Sequence, residues 1–331
     1  MNTSIIYKNH AANYILISML ACLAFFIRAA NISLMGGENR TYGFVLHIFS
    51  IEQISPWLDI GLCSVVALLI SLMLVYFNNR FVIVESGFQH IAFLYIIFSS
   101  FIIDTTGMFN TLISSGFIIL SMSRLLTAFR NEKAISNAFD AGFLLALASF
   151  ADVEAVVYIV LLVYMLIQLR PFVWREYFSV LAGFLLPYVF MLFYLYFTDN
   201  LIVIQNFLNS VNYSSPDVSK YTTEYLIMAA GPIIIAISGV LYFILAPHYK
   251  KVITRRYQSI ILFFLFLSGL VALAPFIALA AFVYFVIPLS FLLSHMLKET
   301  RNRFIALSIR IIIGLSFVLI CIFNFSRLFG I

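Results

Sequence analysis

The sequence predicts an all-α polytopic membrane protein of about eleven transmembrane or half-spanning helices, and three observations carry that prediction. Apolar residues make up 63% of the chain and charged residues only 10%, at a mean hydropathy of +1.07. A soluble domain of this size carries about a quarter charged residues. The apolar residues form continuous runs, most of them about 20 residues long, which suits helices crossing a ~30 Å hydrocarbon core. A membrane β-barrel would alternate apolar and polar residues instead. Finally, Lys and Arg cluster in a few of the connections between runs, as they do on the cytoplasmic side of membrane proteins.

In chain order the runs fall near 11–27, 57–77, 86–103, 107–123, 141–169, 178–197, 225–246, 258–274, 276–297 and 304–325. The first follows Lys8 and has the shape of a signal peptide. Arg28, however, stands where a small-residue cleavage site belongs, so an uncleaved span is expected. The connection 28–56 ends in "TYGFVLHIFSIEQI", where Phe44, Ile48 and Ile51 recur at helical spacing opposite His47, Ser50 and Glu52. That pattern predicts an interfacial helix lying on the outer leaflet. The connection 198–224 opens with the apolar "LIVIQNFL" and continues through the turn-rich "NSVNYSSPDVSKYTTE". No connection exceeds about thirty residues, below the size of a domain, so residues 1–331 are expected to form a single integral membrane domain with no soluble part. Trp57 and Trp174 stand at predicted membrane boundaries, as aromatic-belt residues do. Pro187, Pro232, Pro275 and Pro288 fall within or between spans, where neighbouring helices satisfy the carbonyls they free.

Charge sets the orientation. Arg124/Arg130/Lys133, Arg170/Arg175, Lys250/Lys251/Arg255/Arg256 and Lys298/Arg301/Arg303 should all face the cytoplasm, joined by Lys8, Arg80 and Arg310. Only Arg28, Arg40, Lys220 and Arg327 then lie outside, with the N-terminus cytoplasmic and the C-terminus external. One run breaks the alternation. Residues 141–169 have basic clusters at both ends, so a single crossing would expose one of them. The stretch "LLALASFADVEAVVYIV" inside it carries Asp152 and Glu154 two residues apart. Both facts fit a helical hairpin that enters and returns, with legs near 141–150 and 155–169 and the two acids at its apex. Legs of ~14–22 Å at helical rise are short for a full crossing. An acid left in lipid at the bilayer centre costs roughly 2.5–3.5 kcal/mol, so a wet apex facing outward is expected.

Cys22, Cys63 and Cys321 each lie in an apolar run, which suits packing better than a disulfide or metal site. The five histidines have no ligand-like spacing, and no CxxC, HExxH, GxGxxG or phosphate-loop pattern occurs. A metal site is therefore not read from the residues. The isoelectric point near 9.0 reflects the cytoplasmic clusters and their contact with membrane lipid, so no nucleic-acid partner is inferred.

An outer loop with a lipid-lying helix after the first span, followed by an outward hairpin, resembles the membrane module of the C-type glycosyltransferases (GT-C-like). "AFDAGFLLALASF", "LRPFVWREY" and "AGFLLPY" are similar to the middle of such enzymes, and also to a bacterial family of polytopic inner-membrane proteins with the same central block. The resemblance covers roughly residues 10–200; residues 225–331 would add further transmembrane helices. It implies transfer from a polyprenyl-phosphate-linked sugar at the outer face of the cell inner membrane. A carboxylate would take the acceptor's proton, and a cation, either a side chain or a divalent metal, would stabilise the departing phosphate. On this reading Glu38 in "MGGENRTYG" is the candidate base and Asp104 in "FIIDTTGMFN" a further catalytic acid. Arg28, Arg40 and Lys220 are the phosphate ligands, Arg being able to grip phosphate bidentately. The chain departs from the family in having Glu38 alone where an acidic pair is common, and in lacking a periplasmic domain. A non-catalytic subunit serving envelope assembly or secretion beside a protein partner, and a transporter, stand as alternatives. In the transporter case, acids at broken helices would build an ion site.

The hairpin is open to a direct check. A single cysteine at Ala151, with Cys22, Cys63 and Cys321 replaced, should react with a membrane-impermeant thiol reagent in intact cells. Reaction only after the membrane is breached would put the apex on the other side.

Overall fold

The computed structural model describes residues 17–19, 21–22, 56–83, 88–100, 108–128, 134–170, 172–200, 237, 252–273 and 281–299. All regular structure among them is helical. The α-helices are α1 Pro56–Phe81, α2 Phe88–Ser100, α3 Met108–Ala128, α4 Ala134–Ala151, α5 Ile159–Leu169, α6 Trp174–Phe197, α7 Val252–Leu273 and α8 Phe282–Glu299. A 3-10 helix, Val153–Tyr158, leads into α5. Five segments are long and apolar enough to cross a membrane: Trp57–Phe81, Met108–Ala128, Ala134–Ala151, Trp174–Phe197 and Thr254–Ala272. His90–Ser100, Val153–Leu169 and Phe282–Leu297 are shorter apolar helices. The spans expected at 11–27, 225–246 and 304–325, and the interfacial helix before Trp57, lie outside the described residues apart from a few helical positions.

α4 is the centre of one layer, packed between α3 and α6. Its inner surface is built from small residues: Ala134, Ala138, Ala141, Gly142, Ala146, Ala148 and Ser149 are all buried. The Ser121 hydroxyl donates to the Ala141 carbonyl at 2.7 Å, joining α3 to α4. On the other side α4 and α6 run parallel. Ser179 Oγ bonds the Ile135 carbonyl at 2.7 Å near both N-termini, and the Ser149 and Tyr188 hydroxyls meet at 2.6 Å further along. Between these contacts Gly142 lies on the Val180 carbonyl and Gly183 on the Phe139 carbonyl, backbone against backbone. Such close approach is how helices associate where the solvent is itself apolar.

Two parallel helices adjacent in the chain need a return between them, and the 3-10 helix with α5 supplies it. α5 leans less on α4 than on α7, where Tyr164 stacks on Phe263 at 4.0 Å and bonds Ser259 at 2.7 Å. The excursion expected for 141–169 is therefore present, with longer legs than the apolar run suggested. α4 starts at Ala134, earlier than the apolar run, because Ser136, Asn137 and Asp140 in its first two turns, "AISNAFD", break the run while Ala134 and Ala138 are buried. At helical rise its 18 residues span ~27 Å, enough to cross rather than half-span a bilayer.

The second layer holds α2, α7 and α8, with α1 and α3 bridging to it. α7 and α8 are antiparallel: Gln258 faces His295 at 3.2 Å at one end and Gly269 faces the Phe285 ring at the other. The ring pairs Phe77–Phe291 and Phe81–Tyr257 lock the C-terminal end of α1 to the same end of that pair. Tyr95, Tyr158, Tyr284, Phe264 and Phe291 are the largest fully buried side chains. Pro187 and Pro288 lie inside α6 and α8, as tolerated in membrane helices.

These directions sort the charges. Arg80, Arg124, Arg170, Arg175, Arg255 and Arg256 all fall at the end of the bundle that holds the C-terminus of α1 and the N-termini of α4, α6 and α7. Asp59, Asp152, Glu154 and Asp199 fall at the opposite end. Trp57 and Trp174, both largely exposed, mark the acidic and the basic end respectively.

The glycine contacts give a sharp test. A Cβ at Gly142 or Gly183 meets backbone, which has no rotamer to yield, whereas Gly116 has only Ile70 Cγ1 at 3.8 Å. Gly142→Ala and Gly183→Ala should each cost about 1–3 kcal/mol by overpacking, with Gly116→Ala neutral or better. Thermal unfolding of the purified chain in detergent would read all three.

Candidate functional site

The polar centre of the bundle forms where α4 stops. Asp152 leaves the helix with φ −146° and ψ 118°, an extended residue between two helical segments. Its N–H still closes the last turn of α4 on the Ala148 carbonyl at 3.0 Å, while its own carbonyl accepts from Ala155 N at 3.0 Å. The side chain caps the 3-10 helix, with Oδ1 accepting from Glu154 N at 3.2 Å. An aspartate at this position satisfies a helix-start N–H that would otherwise be orphaned.

The other carboxylate oxygen reaches across the fold. Asp152 Oδ2 accepts from Thr111 Oγ1 of α3 at 2.9 Å and from Tyr284 Oη of α8 at 2.8 Å. Ser114, one turn along α3, stands beside the Tyr284 hydroxyl. Tyr158 closes the group. Its ring tilts against Tyr284 at 5.2 Å and meets Phe264 edge-on at 5.5 Å, with the hydroxyl buried and without a hydrogen-bond partner among the described residues. Glu154 is half-buried one step further on. No ion pair engages Asp152 among the described residues; the two salt bridges found there, Arg124–Asp140 and Arg170–Glu176, belong to the basic end.

Three donors fill three of the roughly four acceptor positions of the carboxylate. The chain therefore uses Asp152 as a tie between α3, the helix break and α8, and leaves it poorly placed to take a proton from a substrate. Asp152 and Glu154 stand at the break between α4 and the 3-10 helix, on the acidic end. What hydropathy could not reveal was Thr111 and Tyr284, 41 and 132 residues away. A hydroxyl beginning the α3 run, "MFNTLISSG", was the only sequence hint.

Glu38, Arg28, Arg40, Lys220 and Asp104 lie outside the described residues. Among those described, no group of three or more His, Cys, Asp or Glu comes together to hold a metal. The chain matches no known family model, no curated protein and no solved structure.

Removing the tie should be costly in a graded way. Thr111→Val and Tyr284→Phe each delete one donor and should lose about 0.5–1.5 kcal/mol. Asp152→Ala strands both hydroxyls in a buried setting and should lose more than either. Because all three meet on one oxygen, the losses should not add. A double-mutant cycle on Thr111 and Tyr284, read by unfolding in detergent, measures the coupling.

Proposed function

We propose that the chain is an integral membrane protein of the bacterial cell envelope that transfers a glycosyl or related group from a polyprenyl-phosphate-linked donor at its outer face. One observation supports this reading above the others: the segregation of charge along the bundle. Every arginine whose side chain is described sits at one end, which fits a cytoplasmic face. The opposite, acidic end is then the outer face. Among described residues it has no cation with which to hold a phosphate, so that task falls to Arg28, Arg40 and Lys220, the basic residues that charge assigns to this side.

In the proposed reaction the bond from the anomeric carbon to the lipid phosphate breaks and a bond to the acceptor oxygen forms. Glu38 takes the acceptor's proton, with Asp104 as a second acid and Arg28 and Arg40 gripping the phosphate that leaves. Asp152 supports this chemistry from behind by fixing the helix ends. A non-catalytic subunit for envelope assembly is the second reading, favoured by the fact that the acid best seen is a structural tie.

The two readings part in one experiment. Lipid extracted from the purified wild-type chain should contain polyprenyl phosphate, detected by mass spectrometry. Arg28→Ala and Arg40→Ala should each deplete it roughly tenfold, the loss of one charge-assisted contact. Glu38→Gln should keep the lipid and lose transfer to an acceptor. A wild-type chain that carries no such lipid and transfers nothing is the subunit.

A further inference from the structure

Among the described residues Asp152 is an acid without a base. It is half-buried at a break between two helices, and three neutral donors, Thr111, Tyr284 and the Glu154 N–H, are its partners. Hydrogen bonds spread a carboxylate's charge but do not cancel it. A charge kept in an apolar setting without a counter-charge is strongly destabilising unless it is neutralised. Acids inside membrane bundles usually mark ion or proton sites for that reason.

A second observation points the same way. The Tyr158 hydroxyl is fully buried, has no hydrogen-bond partner among the described residues, and lies within the field of both Asp152 and Glu154. A buried hydroxyl normally finds a partner. The carboxylate meets the Thr111 and Tyr284 hydroxyls at 2.9 and 2.8 Å, Ser114 stands beside the Tyr284 hydroxyl, and the Tyr158 ring packs on the Tyr284 ring at 5.2 Å. Broken membrane helices build sodium and proton sites from such parts.

We propose that Asp152, with Thr111, Tyr284 and Tyr158, binds a small monovalent cation at the helix break. Its charge neutralises the carboxylate, and the Tyr158 oxygen is the ligand still waiting for it. The proposal stands independently of the transferase reading, since it concerns other residues. Sodium and the proton share this chemistry. The titratable groups facing Asp152 are Glu154, Tyr158 and Tyr284; α3 contributes only hydroxyls and α7 the Phe264 ring. The described histidines, His90 and His295, belong to the basic end.

The test is thermal unfolding of the full chain in detergent, titrated with NaCl against choline chloride at equal ionic strength and repeated across pH. Wild type should gain stability saturably with sodium, or with falling pH in choline alone, which identifies the cation as the proton. Asp152→Asn should lose the response. Because that variant also weakens the tie, Tyr158→Phe is the decisive one, since it keeps the ring packing and removes only the oxygen. Its half-effect concentration for sodium should rise roughly threefold or more, or its pH midpoint shift by a comparable factor. A wild type indifferent to both sodium and pH, or a Tyr158→Phe chain responding as wild type does, overturns the proposal.

Discussion

A helix that ends inside an apolar bundle leaves backbone groups with nothing to bond, and the architecture turns on how Asp152 resolves this. Its backbone finishes α4 and starts the 3-10 helix, while its side chain caps that start and ties Thr111 of α3 to Tyr284 of α8. Each of these bonds is worth only about 0.5–1.5 kcal/mol net, but leaving any one group unmade in the bundle costs about 1–3 kcal/mol. The tie matters through that asymmetry. It converts a liability, a broken helix, into the junction where three separate parts of the chain meet.

The break in turn permits the close parallel packing of α4 on α6. Helices adjacent in a membrane chain ordinarily alternate direction, and parallel neighbours need an extra pass between them. That pass runs through α5, pinned at one end by Asp152. At the other end Arg170, capping α5, bonds Glu176 in the first turn of α6 at 2.8 Å. This second pin is a charge-assisted bond with Glu176 buried, and its acid also complements the N-terminal end of the α6 dipole. With both turns held, Gly142 and Gly183 can bring the two backbones together. α6 stops cleanly after Phe197, where Asp199 takes a left-handed conformation and Asn200 N–H bonds the Leu195 carbonyl at 3.0 Å.

Much of this was legible in the sequence, for reasons that are local. Runs of apolar residues predict the helices because each residue's contribution is independent of its partners. The reversal at Asp152 was legible because Arg130/Lys133 and Arg170/Arg175 flank a single run, and one membrane face must hold both. The start of α4 was misplaced because "AISNAFD" carries Ser136, Asn137 and Asp140 among its apolar residues, so an average over the run excludes it. The partners of Asp152 could not be read, since nothing in the spacing of Thr111 or Tyr284 encodes a contact across so much chain. The α4–α6 contact did leave a signal, in Ala138, Gly142 and Ala146 recurring every fourth residue. Pattern alone does not say which helix such a stripe meets.

The division of labour between the acids follows from the same physics. A carboxylate acts as a base only where the reacting group reaches an open acceptor position, and three of the roughly four on Asp152 are taken by Thr111, Tyr284 and the Glu154 N–H. What it retains is charge. Hydrogen bonds from Thr111 and Tyr284 orient that charge without cancelling it, and the bundle carries its described arginines at the far end. Charge that is fixed, oriented and uncompensated among the described residues attracts a cation rather than a substrate hydroxyl. The proposed transfer accordingly rests on Glu38, which has Arg28 and Arg40 close in sequence.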